Sequence, residues 1–237
     1  MTLSGDWGPL KFNGSGSSSA LGAVDDVTPN AYEEAWDILD TDGTSTSGSP
    51  LVIGGGGGAN MFIYTSPSFA GATITMAYQN DGGAAGVADS YNDFAIAFSP
   101  EMVEGLTIGY GAGDKNISAN VDQSNSTGYI KYAVGGFTLG YQISESDHDT
   151  KTSSLDSVAY GVSYAVNDDI SVGYSYHEVD MDSARSTGTF TQESTGISAS
   201  YTMGGMTLGG AINETDNMRG VDANDFESYE FNLSFAF

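Results

Sequence analysis

Along most of this chain, bulky apolar residues and small or polar residues take turns with a period of two. Successive side chains of a strand point to opposite faces, so such a segment has one bulky face and one small one. The final stretch is the clearest. Tyr229, Phe231, Leu233, Phe235 and Phe237 alternate with Ser228, Glu230, Asn232, Ser234 and Ala236. Related segments at 72–76, 106–110, 137–141, 170–174 and 206–210 each put large residues on one face and Thr, Ser or Gly on the other. The pattern predicts the end of one strand at 2–4, then twelve more. These lie near 8–13, 59–66, 71–80, 90–98, 105–112, 127–135, 136–145, 155–166, 169–178, 192–203, 206–215 and 228–237.

Two kinds of connection separate these strands. Short turns centre on 66–68, 99–105, Gly135-Gly136, 167–169 and Gly204-Gly205. They return every ~33–37 residues, so the repeating unit is a hairpin. Long acidic connections are expected at 80–90, 112–126, 145–156, 178–194 and 214–227, all at the opposite end of the hairpins. Tight turns at one rim and long polar loops at the other are the asymmetry of a transmembrane β-barrel. Alternation alone leaves open a soluble barrel or sandwich with the bulky face inside. Two features favour bulky residues against lipid. The opposite face is mostly Gly, Ala, Ser and Thr, where a soluble surface carries Lys and Glu. Tyrosines also gather near strand ends, where aromatic girdles meet head groups.

Composition narrows the choice. The chain has 237 residues, 39% of them hydrophobic, with 33 Gly, 14 Tyr and no Cys. No run approaches the ~20 apolar residues of a membrane helix. Six Lys+Arg against 31 Asp+Glu give a formal charge of −25. Nucleic acid is therefore excluded as a partner, and small cations are favoured.

Residues 14–58 break the rhythm. This connection is far above the usual length. It opens on a Gly/Ser run and closes on Gly54 to Gly58, directly before a strand. Thr28-Pro29 followed by Ala31, Glu33, Glu34, Ala35 and Trp36 predicts a short acidic helix within 29–42. A loop of this length needs somewhere to go, and a wide barrel offers its lumen.

With these segments in view, the chain resembles a general diffusion porin of the alphaproteobacterial type. Residues 3–12 resemble the hairpin before the porins' inward-folded loop, and 23–37 resemble that constriction loop. Residues 59–79 resemble the next hairpin. Phe237, with Tyr229, Phe231, Leu233 and Phe235, is similar to the signal read by the barrel-assembly machinery. The resemblance implies an all-β, antiparallel sixteen-stranded barrel, about twelve strands of it visible here. It also implies a single domain over 1–237, with 14–58 as the constriction loop. It further implies a homotrimer in the outer membrane, surrounded by lipid and lipopolysaccharide. By the same analogy three strands and most of a fourth would precede Met1, making Met1 a truncation point or internal start. A complete twelve-stranded barrel is the alternative, though narrow for such a loop.

The function expected is passive diffusion of small hydrophilic solutes with a preference for cations; no enzyme is expected. Glu33, Glu34, Asp37, Asp40 and Asp42 are the candidate constriction acids, with Lys11 and Lys131 as basic partners across the pore. A solvated acidic loop outside the barrel is the plainer alternative for those acids. Asp25 and Asp26, with the acidic runs at 145–149 and 178–182, are weak Ca²⁺ candidates, and no other cofactor is indicated. A non-channel barrel or surface adhesin with Ca²⁺-binding acidic loops is the second reading. His148 and His177 lack zinc-ligand spacing and are read as exposed structural residues. No Ser lies in a nucleophile elbow.

Overall fold

The computed structural model describes residues 1–14, 17–37, 52–55, 57–58, 60–80, 90–118, 121–149, 154–182 and 191–236. Thirteen strands form one antiparallel sheet, each paired with its sequence neighbours. They are β1 (Thr2–Gly5), β2 (Gly8–Asn13), β3 (Met61–Thr65), β4 (Ala72–Gln79), β5 (Tyr91–Phe98), β6 (Leu106–Ser118) and β7 (Val121–Val134). The series continues with β8 (Phe137–His148), β9 (Ser154–Ala165), β10 (Ile170–Asp182), β11 (Gln192–Met203), β12 (Met206–Asp216) and β13 (Phe226–Phe235). The thirteen segments predicted from alternation are therefore all present. Tight Gly-Gly turns join β7 to β8 and β11 to β12, with Gly135 and Gly204 at φ 56° and 61°. A residue with a Cβ is strained there, and a two-residue hairpin turn requires that geometry.

Strand lengths differ from expectation at one rim. β6 runs to Ser118, β7 starts at Val121, and β8, β10 and β12 reach His148, Asp182 and Asp216. The predicted loop at 112–126 is thus almost all strand, that at 145–156 is more than half strand, and those at 178–194 and 214–227 are strand at both ends. Both faces are polar there, so the two-residue hydrophobic rhythm vanishes although the backbone ladder continues.

Opposed residues of an antiparallel pair share a face, so the register sorts every side chain. Ile143, Tyr160 and Phe231 stand on the bulky face and are 52%, 40% and 75% exposed. Cross-strand stacks such as Phe137 on Tyr164 (4.3 Å) and Tyr160 on Tyr176 (4.8 Å) lie on the same face. The small-residue face is covered instead by the chain between β2 and β3. Bulky residues point outward, as the small-residue composition of the other face predicted.

That covering segment runs across the strands. Pro29 lies against β8 and β9, at Gly140 and Gly161. Tyr32, three residues on, meets Gly209 of β12 with its ring and Glu230 of β13 with its hydroxyl. The segment therefore spans the small-residue face from β8 to β13, on the concave side of the sheet.

Candidate functional site

The segment enters the concave side through a short ribbon in which Ser17–Ser18 pairs with Gly57–Gly58. A 3₁₀ turn, Leu21–Ala23, follows. Asp93 of β5 accepts hydrogen bonds from the backbone N–H of Ala20 (3.2 Å) and Leu21 (2.7 Å), and from the Tyr91 hydroxyl (2.9 Å). Ala20, Leu21 and Val24 pack on Met61, Ala77, Tyr91, Ala95 and Tyr129, forming a dry apolar cluster inside the concave wall. Leu21 and Met61 are fully buried. Each such burial stabilises by roughly 1.5–3 kcal/mol.

Gln142 of β8 holds the next stretch. Its amide donates to the carbonyls of Asp25 (2.7 Å) and Val24 (3.3 Å), and its Oε1 accepts from Val27 N–H (3.2 Å). Asp25 accepts from Gly55 N–H at 2.7 Å, joining the outgoing and returning arms of the loop. Beyond Pro29 the wall supplies hydroxyls. Ser198 accepts from Ala31 N–H (3.0 Å) and Ser175 from Ala35 N–H (2.9 Å). Asn213 donates to the carbonyls of Glu34 (3.0 Å) and Asp37 (2.9 Å). Tyr32 donates to Glu230, and Asn30 to Glu34.

These bonds explain a misplaced helix. The turn predicted within 29–42 is absent from residues 29–37, which are bends and a single turn. The amides of Ala31 and Ala35 are taken by wall hydroxyls rather than by carbonyls one turn back. The loop's one described helical turn is Leu21–Ala23 instead.

Of the predicted site residues, Glu33, Glu34 and Asp37 lie in this segment, while Asp40 and Asp42 fall outside the described residues. Glu33 and Glu34 are half-buried and Asp37 is exposed. Burial pushes the Glu33 carboxyl up to about 7, and its hydrogen bond and like charge with Glu230, together with Asp37, add to this. Burial also raises Glu34 against the hydrogen bond from Asn30. Asp26 is raised to about 7 by burial, then by the charges of Glu34, Asp25 and Asp37. Asp25 is raised by burial, opposed by the Gly55 hydrogen bond. Among the described residues no group of three or more His, Cys, Asp or Glu is arranged to hold a metal ion.

Lys131 shares a cross-strand row with Gly140, Gly161, Ser175, Gly196 and Asn213, and so faces the loop. Lys11 shares one with Ile63, Ala77 and Asp93. Both lysines point to the concave side, as their strand positions predicted. A third, Lys115, was assigned to a connection by the sequence reading. It stands opposite Tyr91 on the same face and lines a cavity of about 320 Å³ with Ile53, Gln123, Ser146 and Leu155.

Other wall residues escaped sequence reasoning: Asp93, Gln142, Ser175, Ser198, Asn213 and Glu230. Their signal was a polar residue at a small-face position, shared with many residues that hold nothing. His177 is a correction. It is 2% exposed, not free in solvent, and its ring meets Trp36 at 4.6 Å beneath the loop. Tyr229, Phe231, Leu233 and Phe235 form the bulky face of β13, and Phe237 falls outside the described residues.

An outward apolar band, an inward small-residue wall and a long loop folded against that wall are now in place. The family model for Gram-negative porins matches residues 1–237. The chain belongs to the Gram-negative porin family. It is an outer-membrane β-barrel channel and does no covalent chemistry. No curated protein matches the sequence. Among solved structures, the anion-selective porin from Comamonas acidovorans is similar with TM-score 0.73 and 14% identity, over 100% of this chain and 76% of that one. A porin refined at 1.8 Å gives 0.71 and 18%, over 100% and 80%. The trimer form of OmpT from Vibrio cholerae gives 0.66 and 11%, over 98% and 76%. At these identities the likeness is one of fold.

Proposed function

We propose that this porin passes small hydrophilic solutes through a lumen narrowed by residues 14–58, and that it prefers cations. The observation that carries the reading is the path of 17–37 across the concave wall. That path gathers Asp26, Glu33, Glu34 and Asp37 on the concave side, with Glu230 of β13 beside Tyr32 and Glu33. A low-dielectric wall sharpens the field of these carboxylates, so cations are concentrated at the narrowest point. Lys11, Lys115 and Lys131 offset part of that charge from the β2, β6 and β7 side. The Comamonas porin is anion-selective, but at 14% identity the likeness is one of fold and does not carry that selectivity to this chain.

The trimer form of Vibrio OmpT supports a homotrimer for this chain as well. The outward aromatic face is then the surface that meets lipid and lipopolysaccharide, and β13 the strand offered to the barrel-assembly machinery. The adhesin reading has no comparable support.

The test is a triple variant, Glu33→Gln, Glu34→Gln and Asp37→Asn, reconstituted in planar bilayers. The reversal potential in a salt gradient should move toward zero, with heat-modifiable migration retained. An unchanged reversal potential would show that the loop does not line the ion path.

A further inference from the structure

We infer that glycines of the barrel wall, rather than residues of the loop, set how far the loop projects into the pore and hence its calibre. The inference rests on reading residues 14–58 as the constriction.

Five wall glycines on five successive strands lie beneath residues 29–35. A Cβ at Gly140 would lie 2.3 Å from Pro29 Cδ, and one at Gly161 would lie 2.4 Å from the Pro29 carbonyl oxygen. At Gly173 it would meet Ala31 N at 2.7 Å, and at Gly196 it would lie 2.3 Å from Asn213 Oδ1 of the wall and 2.9 Å from Ala35 Cα of the loop. At Gly209 it would strike the Tyr32 ring at 2.2 Å. The loop is therefore seated directly on backbone. Three of these strands carry their glycine at the same place in the repeated hairpin segment: Gly140, Gly173 and Gly209.

Behind the loop stands the hydrogen-bonded sheet, which yields less readily than the loop. At Gly140, Gly161 and Gly173, where a new Cβ meets the Pro29 ring or loop backbone, added wall volume pushes the loop toward the pore axis. Restoring ordinary van der Waals contact at Gly140 takes a shift of about 1 Å. These glycines act as specificity determinants although the solute meets the loop and not them. Small wall residues give a wide eyelet, and each methyl narrows it.

Gly140→Ala and Gly173→Ala are compared with Gly128→Ala, whose Cβ would face outward with its nearest neighbour at 3.8 Å. Refolded barrels are checked by heat-modifiable migration. Potassium chloride conductance and the poly(ethylene glycol) size cutoff are then read in bilayers. Gly140→Ala and Gly173→Ala should lose conductance and exclude smaller polymers, and Gly128→Ala should match the parent. Pro29→Ala removes the ring carbons that the new Cβ meets, so Gly140→Ala with Pro29→Ala should regain parental conductance. Failure of that rescue would overturn the proposal, because the effect would not pass through the loop. Parental conductance in Gly140→Ala and Gly173→Ala would also overturn it. If the acidic triple variant still shifts selectivity in that case, the constriction reading stands without this inference. If neither set has an effect, both fall. Should Gly140→Ala fail to fold, Gly173→Ala, with the milder clash, decides the question.

Discussion

The two halves of the lumen-facing loop are held by different physics. Residues 20–27 sit on an apolar patch, and Asp93 and Gln142 each hold two or more loop groups around it. Residues 28–37 lie largely on glycine backbone, with a smaller apolar contact of Ala35 and Trp36 on Ala159; wall hydroxyls, the Asn213 amide and the Tyr32–Glu230 bond hold them, with carboxyls crowded against one another. The buried polar side-chain atoms without a partner among the described residues belong to Thr28, Glu33, His177 and Asn213, all on or beneath the second half. Buried polar groups are ordinarily paired, and exceptions cluster where something other than stability is served. The first half is an anchor. The second carries buried polar atoms without partners, among the described residues, and the first does not.

The comparison breaks most readily at Asp93. Asp93→Ala leaves the Ala20 and Leu21 amides without their acceptor inside a dry cluster and removes one of the Tyr91 hydroxyl's partners, Ser19 Oγ at 3.2 Å remaining. A hydrogen bond to a charged group contributes about 1.5–3 kcal/mol, so loop anchoring should weaken by roughly 3 kcal/mol or more. Limited proteolysis should then cut within 17–37 while the barrel still migrates as folded. Resistance equal to the parent would mean that the apolar contacts suffice alone.

Asn213→Ala probes the second half and should cost less, about 1–2 kcal/mol, because it also removes an unpaired buried oxygen. The expected readout is noisier open-channel current with little change in the barrel's thermal transition. A fall in that transition as large as for Asp93→Ala would erase the distinction between the halves.

The gentlest probe is pH. Asp26 and Glu33 both have carboxyl pKa values raised to about 7 by burial. For an acid raised in the folded state, the stabilising contribution is complete below the unfolded value near 4 and is lost as pH climbs through about 7. Raising pH from about 5 to about 9 should therefore loosen residues 26–37 while adding negative charge to the lumen. Cation preference, read as reversal potential, should rise most steeply around neutrality, and cutting at 20–24, next to the Asp93 anchor, should not change. A flat profile would show that these carboxyls are already ionised at pH 5.

Much of the architecture could be read from the chain. Each segment such as 137–141 or 206–210 carries its own inside and outside, and β8 and β12 formed where alternation placed them. The rim was less legible, because at Asp114 or Glu145 both faces are polar and pairing leaves no hydrophobic trace. Within the site, Lys11 and Lys131 could be assigned to the lumen by parity alone. Lys115 could not, since its strand was taken for a connection. Glu33 and Glu34 lie in the connection between β2 and β3, but the described part of their expected helix, 29–37, is not helical: isolated propensity favours a helix, and wall hydroxyls bid for the same amides.

What the sequence determined by itself was the sidedness of the wall, because a two-residue repeat is a local property of each strand. It also fixed the excess of acid over base, which is a sum. The tertiary structure alone decided which wall atoms meet the loop. Gly140 and Pro29, or Glu230 and Tyr32, are far apart in the chain and meet only once the sheet has formed and the loop crosses its concave side. Contacts of that kind depend on register over many strands, and no short window of residues encodes it.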